Sequence, residues 1–283
     1  MNSPRVSIII PAFNAAGVIA ETLESVRNQT FTDFEVLIID DGSSDNTCIV
    51  AKSFCDADPR FRLIPCRHTG LPTTRNTGIA QAGGEWIAFL DADDIWLPEK
   101  IARQMELVAA RPEVDFTFTN YHFWDGTRDL RTRSYSEGMS AKDEVLPRLI
   151  ERCSYAISTV MVRSDLLQLV GLFDTTLPSC EDWDLWLRMA ENGMLVAGIK
   201  EPLVRYRRWP GNMTKNRLVM AESKIAVLEK NLRQTRHPEL RPIYQHALTN
   251  LKARLELVRA CALIHKQPGQ VHSLVWRAWQ HYP

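Results

Sequence analysis

The first hundred residues are a series of short apolar runs, each closed by a polar or acidic break. Residues 6–10 (VSIII) are rich in β-branched side chains, which suits a strand buried on both faces of a parallel sheet. After Pro11-Ala12-Phe13-Asn14, residues 18–28 place Ile19, Leu23 and Val26 at helical spacing. Residues 34–39 read as a second strand, ending in Asp40-Asp41-Gly42-Ser43-Ser44-Asp45. Gly42 permits a tight turn there, and Ser44 or Asp45 can cap a helix reaching about Phe54. A shorter strand at residues 61–65 precedes a helix-like stretch, 73–82, which carries Arg75 and Asn76 and is broken by Gly83-Gly84. Residues 86–90 (WIAFL) are too short for a helix and suit another buried strand. Strand–helix alternation at this spacing predicts βαβ units, and so an α/β fold with a Rossmann-like, mostly parallel central sheet flanked by helices.

The second half has a different texture. Residues 98–111 predict a helix with Pro98 at its start, and Ile101, Met105 and Val108 on one face. Residues 114–123 alternate Phe116 and Phe118 with Thr117 and Thr119, as in a strand with one wet face. The polar stretch 126–138 reads as a mobile loop, 157–162 as a strand, and a short helix begins at Ser164 or Asp165 and runs to Val170. Residues 218–232 and 240–264 have helical apolar spacing, and 271–279 form a last amphipathic segment. Packing against the rest of the chain or a second subunit, and contact with a membrane surface through Trp276, Arg277 and Trp279, are two uses for that segment.

In parallel sheets, ligands gather outside the carboxyl ends of the strands. Here those ends carry Phe13 and Asn14, then Asp40 and Asp41, then the cluster Asp91, Asp93 and Asp94, so these groups should meet in one crevice. Carboxylates crowded together repel one another and lose water. A hard divalent cation, Mg²⁺ or Mn²⁺, is the usual remedy. The plainer alternative is an acidic turn that ends a strand and caps the following helix. A second acidic run, Glu181-Asp182-Trp183-Asp184, opens a helix gripped by Leu185, Leu187 and Met189. The helix dipole favours acids there, but three acids around a tryptophan also suit a site.

Composition narrows the classes. Formal net charge is zero, which gives no electrostatic case for nucleic acid. The six cysteines lack C-x-x-C or zinc spacing and suit a reducing compartment. No stretch reaches the roughly 20 apolar residues of a membrane span. A cytoplasmic protein is expected, with peripheral contact at the inner face of the membrane or homo-oligomerisation through the C-terminal helices as its wider options. Neither G-x-G-x-x-G after the first strand nor G-x-x-x-x-G-K-[ST] occurs, which argues against dinucleotide dehydrogenases and P-loop enzymes.

Three pieces in order, residues 6–47 (VSIIIPAFNAAG through IIDDGSSDNT), residues 73–94 (TTRNTGIAQAGGEWIAFLDADD) and EDWDLWLR at 181–188, resemble the inverting glycosyltransferases of family 2. The likeness runs from about Val6 to Thr214. It implies a GT-A catalytic domain over 1–214, with a nucleotide-binding half at 1–97 and an acceptor-binding half at 98–214, followed by a helical extension at 215–283. By that resemblance Pro11, Phe13, Asn14, Asp41, Arg75, Asp91 and Asp93 would bind the nucleotide sugar, with a UDP-sugar favoured. Asp91 and Asp93 would form the D-x-D pair, and Asp93 and Asp94 would hold Mn²⁺ or Mg²⁺. Asp182 matches the family's general base. Glu181, Trp183, Arg207 and Arg208 would serve the acceptor or the diphosphate. The acceptor would be a glycan or a lipid-linked hydroxyl, and the setting cell-surface polysaccharide or glycoconjugate synthesis. One departure stands out: many relatives carry a histidine where this chain has Trp209, and Arg207 or Arg208 could compensate by pairing with phosphate. A nucleotidyltransferase is the rival enzyme class, but PAFNAAG is a poor match to its glycine-rich basic loop. A non-catalytic sugar-nucleotide or glycan-binding module would have no need of Asp182.

Overall fold

Every residue of the first strand, β1 (Val6–Ala12), is buried, because both faces of the sheet are covered. The computed structural model describes residues 3–133, 139–140, 142–209, 215–263 and 274. β1 pairs in parallel with β2 (Phe34–Asp40) and β4 (Trp86–Phe89), and β2 pairs in parallel with β3 (Phe61–Pro65). The crossovers are α1 (Ile19–Arg27), α2 (Thr47–Ala57) and α3 (Leu71–Gln81). Gly84 begins the return to β4 where a Cβ would lie 2.5 Å from the Ser7 backbone nitrogen, so only glycine fits. Its amide donates instead to Ser7 Oγ at 2.8 Å.

Beyond β4 the sheet turns mixed. The intervening elements are β5 (Ile95–Trp96), α4 (Lys100–Ala110), β6 (Phe116–Trp124) and α5 (Lys142–Glu151). They are followed by β9 (Met161–Arg163), α6 (Ser164–Val170), α7 (Glu181–Glu191) and β10 (Val196–Arg207). The sheet order is β3-β2-β1-β4-β9-β6-β10-β5. β9 is antiparallel to both neighbours, β10 is parallel to β6, and β5 is antiparallel to β10. Two short strands, β7 (Asp129–Arg133) and β8 (Met139–Ser140), pair with β6 and β10.

Three expectations change here. The loop expected at 126–138 contains β7, hydrogen-bonded to β6, and residues 134–138 lie outside the described residues. The strand expected at 157–162 is a 3₁₀ turn, Ile157–Thr159, followed by β9. β6 has no wet face at Thr117 and Thr119; both are buried, and Gln104 Nε2 donates to Thr117 Oγ1 at 2.9 Å. The basic stretch around Arg205–Arg207 is the end of a twelve-residue strand.

The second half of the core is aromatic. Trp186 meets Phe116 edge-on at 4.9 Å between ring centroids, and Phe116 lies 5.1 Å from Tyr155. Such pairs add roughly 0.5–1.5 kcal/mol beyond simple burial. The extension packs onto this core through α8 (Arg217–Gln234) and α9 (Arg241–Leu263). The buried Asp184 of α7 is the anchor: Lys230 Nζ ion-pairs with it at 2.8 Å and Asn231 Nδ2 donates to it at 3.0 Å. No helix among the described residues is long and apolar enough to cross a membrane. Of the amphipathic segment at 271–279 only Leu274 is described, so its proposed surface contact lies outside the described residues.

Candidate active site

The carboxyl ends of β1, β2 and β4 open onto one cleft of about 1340 Å³, as strand-end convergence requires. Pro11, Phe13, Asn14, Asp41, Arg75, Asp91 and Asp93 all line it. Phe13 is 47% exposed, and its ring stacks on His68 at 4.3 Å with 23° between the planes. This flat, half-open pair follows β1 and β3, and His68 had no signal in the sequence beyond its place in a loop. Asp41 is buried under the same loop: its carboxylate accepts from the amides of Thr69 at 2.8 Å and Gly70 at 3.0 Å. Gly42 makes the turn beside it with φ +75°, where a Cβ would stand 2.8 Å from the His68 nitrogen. Asn14 adopts a left-handed conformation, φ 49°, and its Oδ1 accepts from the Ser44 amide at 2.9 Å. That bond ties the loop after β1 to the loop after β2.

Arg75 is the hinge of the cleft floor. It sits on α3, only 2% exposed, with Nη2 on Asp91 Oδ1 at 2.6 Å and Nη1 on Glu181. Its guanidinium lies 5.5 Å from the centre of the Phe173 ring. Burial alone would weaken its protonation, but Asp91 and Glu181 outweigh that and raise its pKa above the usual range. Glu181, expected to serve the acceptor or diphosphate, lines the cleft but is buried and pairs with Arg75, joining the acidic strand end to the start of α7.

The three aspartates after β4 divide sharply. Asp91 and Asp93 line the cleft and Asp94 does not. Asp94 is 1% exposed; Ser158 Oγ donates to one of its oxygens at 2.6 Å and the Arg207 amide to the other at 2.9 Å. Burial, then Asp93 and Asp91, push its pKa well up. In this arrangement Asp94, expected in the metal pair, braces the turn from outside the cleft lining. Arg207, expected at the diphosphate, is held in the same turn. Its Nε donates to the Asp93 carbonyl at 2.8 Å, its Nη2 pairs with Glu21 at 3.0 Å, and its head lies 4.2 Å over the Trp124 ring. It fixes the aspartate turn from behind.

Asp93 keeps a carboxylate at the cleft wall, with Trp209 Nε1 donating to its Oδ2 at 2.9 Å. Trp209, where the resemblance leads one to expect a histidine, thus meets this carboxylate as a donor only. Burial and the charge of Asp91 raise the Asp93 pKa. Two carboxylates at one cleft wall suit a hard cation such as Mg²⁺ or Mn²⁺, and among the described residues no third His, Cys, Asp or Glu side chain joins them as a ligand.

Across the cleft, α7 presents Asp182. Cys180 turns the chain into the helix with φ 61°, and Asp182 Oδ1 accepts from the Trp183 amide at 2.7 Å. Burial and neighbouring Glu181 push its pKa up to about 7, against the opposing pull of Arg75. A carboxyl poised there can exchange a proton near neutrality. Trp183 borders the cleft, but its Nε1 is spent inside, on the Leu149 carbonyl at 2.7 Å. The remaining wall is an aromatic platform that the sequence reading missed: Tyr121, Phe123 and Tyr206, with centroids 5.2–5.9 Å apart. Arg208 faces the cleft with its head 5.3 Å from the Phe123 ring centre. Alternation along β6 and β10 marks such rings as core; only the open sheet end turns them into a wall.

Residues 7–166 match the family model described as Glycosyl transferase family 2. An uncharacterized glycosyltransferase of Rickettsia bellii is 33% identical over 214 residues, covering 76% of this chain and 30% of the relative. The chain spans about a third of the length of the rickettsial relatives it matches. WfgD of Escherichia coli, named as a UDP-Glc:alpha-D-GlcNAc-diphosphoundecaprenol beta-1,3-glucosyltransferase, is 31% identical over 199 residues, 70% of this chain and 74% of that one. The crystal structure of S. aureus TarS 1–349 in complex with UDP-GlcNAc superposes with a TM-score of 0.65 at 19% identity, covering 98% of this chain and 89% of that chain. That likeness is one of fold.

Proposed function

Because the chain belongs to glycosyl transferase family 2, we propose that it moves a sugar from a nucleoside-diphosphate sugar to a hydroxyl acceptor with inversion, in the building of a cell-surface polysaccharide or glycoconjugate. The observation that carries this reading is the placing of Asp182 in the same cleft as the Asp91–Asp93 strand end, its carboxyl pushed up by burial and by Glu181. A binding module has no use for a proton-accepting carboxyl placed there.

In this reading the stacked Phe13 and His68 rings take the base, and the Asp41 region takes the base edge or ribose. A UDP-sugar is the favoured donor, in keeping with the donors named for WfgD and TarS. Asp93, with Asp91 beside it, would hold Mn²⁺ or Mg²⁺, which supplies Lewis-acid charge to the leaving diphosphate when bound. Arg75 keeps Asp91 in place, and Arg207 keeps the Asp93 backbone in place. Asp182 takes the proton from the acceptor hydroxyl as its oxygen attacks the anomeric carbon. The C–O bond to the diphosphate breaks on the opposite face, so one carboxylate is enough. Tyr121, Phe123 and Tyr206 offer apolar faces to a glycan or lipid-linked acceptor.

The test is a thermal-shift panel of UDP, GDP, dTDP and CMP, each with and without Mn²⁺. At 100-fold its dissociation constant a ligand stabilises by about 2.7 kcal/mol. For a chain of this size, UDP with Mn²⁺ is expected to raise Tm by roughly 5–10 °C. EDTA and Asp93→Ala should each remove most of that rise. No shift with any nucleotide would contradict the donor assignment, and an equal shift in EDTA would contradict the metal role of Asp93.

A further inference from the structure

The C-terminal extension is part of the cleft wall. Arg217, Met220 and Lys224 of α8 all line it, at i, i+3 and i+7, which is one helical face. Lys215, just before the helix, joins them. Arg217 is exposed and Lys224 half-buried, and neither has an ion-pair or hydrogen-bond partner among the described residues. Elsewhere on the two helices Lys230 pairs with Asp174, Lys252 with Glu229 and Arg259 with Glu222. The α8 stripe thus turns two cations without a counter-ion among the described residues onto the cleft.

The stripe lies on the Asp182 side. Lys224 acts electrostatically on Cys180 and Cys153, the two thiols beside the start of α7. Nucleotide-side carboxylates, by contrast, already have cations: Asp91 has Arg75, and the Asp93 turn has Arg207 behind it. A donor diphosphate bound with a divalent cation on Asp93 would leave the α8 charges without a counter-ion. Two cations about 10 Å apart along a helix, with Met220 between them, suit an anionic group attached to an apolar chain or a sugar.

We propose that the acceptor is anionic, carrying a phosphate or diphosphate ester that the Arg217–Lys224 face of α8 binds while its hydroxyl reaches Asp182. The proposal rests on the glycosyltransferase reading and adds the chemical class of the acceptor. The ester can belong to a lipid carrier or to a soluble phosphorylated glycan, with the same contacts: charge-assisted hydrogen bonds from the guanidinium and ammonium groups to phosphate oxygens.

The full chain, saturated with UDP and Mg²⁺, is titrated calorimetrically with decyl phosphate, decyl glucoside and inorganic phosphate. Wild type is expected to bind decyl phosphate at least about tenfold more tightly than decyl glucoside, a difference of about 1.4 kcal/mol. The double variant Arg217→Ala/Lys224→Ala is expected to lose that preference while UDP affinity stays within about twofold, and Lys224→Arg is expected to keep it. Binding of inorganic phosphate in competition with decyl phosphate assigns the site to a soluble phosphorylated acceptor; binding of decyl phosphate without such competition assigns it to a lipid-linked one. Equal binding of decyl glucoside and decyl phosphate by wild type overturns the proposal. So does a parallel loss of UDP and decyl phosphate in the double variant, which would place α8 on the donor. Failure of wild type to bind UDP at all overturns the donor reading first, and this proposal with it.

Discussion

Asp182→Asn is expected to lower the rate of sugar transfer by about 10³-fold while UDP affinity changes by less than about twofold, since a placed general base contributes 10²–10⁴-fold. The same substitution should stabilise the fold, and the sign can be worked out. The carboxyl has a folded pKa of about 7 against an ordinary value of 3.8, raised by burial and by Glu181. Between those values the folded protein binds the proton more tightly than the unfolded chain does. Stability from this group is therefore complete below about pH 4 and lost as pH rises through 7. Asparagine carries no such charge. The variant should melt above wild type at pH 8, by an amount on the order of 1 kcal/mol or about 2–4 °C, and the gap should close towards pH 4. A variant that loses UDP binding along with transfer, or melts below wild type at pH 8, would remove Asp182 from the base position.

The largest stability effect is expected at Arg75. Arg75→Met removes a buried cation that holds Asp91 and Glu181 together across the cleft floor. Breaking a buried pair from one side costs about 3–5 kcal/mol, because the partner charges stay behind. A Tm fall of roughly 6–20 °C at pH 8 follows. Arg75→Lys should recover little of it, since a single ammonium does not reproduce a fork that reaches two carboxylates at once. A fall below about 2 °C in thermal melts of Arg75→Met would contradict the bridging role.

Arg75 also marks where sequence reading ended. Its presence beside the acidic strand end was plain from the run TTRNTG, and a donor to base or phosphate was a fair chemical expectation. Its actual partners lie 16 and 106 residues away, and no local pattern reports a contact of that range. The parallel strands β1, β2 and β4 were legible because burial on both faces leaves a continuous apolar signature. β10 was not, since Lys200-Glu201-Pro202 interrupts it and its register shifts at Pro202. Arg207 was expected at phosphate, whereas the strand turns it back onto the Asp93 carbonyl and Glu21. Asp93 and Asp94 were equivalent in sequence; only the partners Ser158 and the Arg207 amide separate them. The acids of α7 divide in the same way, with Glu181 on Arg75, Asp182 at the cleft and Asp184 anchoring α8. The helix dipole favours acids at all three positions and distinguishes none of them.

The α8 stripe was hidden for another reason. Residues 218–232 show helical spacing, but the hydrophobic face tells only where the helix packs, not what its polar face meets. That face became part of the site once α7 and α8 were locked through Asp184, Lys230 and Asn231.

The most direct measurement of the central claim is the pH dependence of kcat/KM for transfer by the wild-type chain. A base that must be ionised to act, with a pKa of about 7, gives a rate that is level above neutrality and falls tenfold per pH unit below it. A rate that stays level down to pH 5 would contradict Asp182 as the group that takes the acceptor's proton.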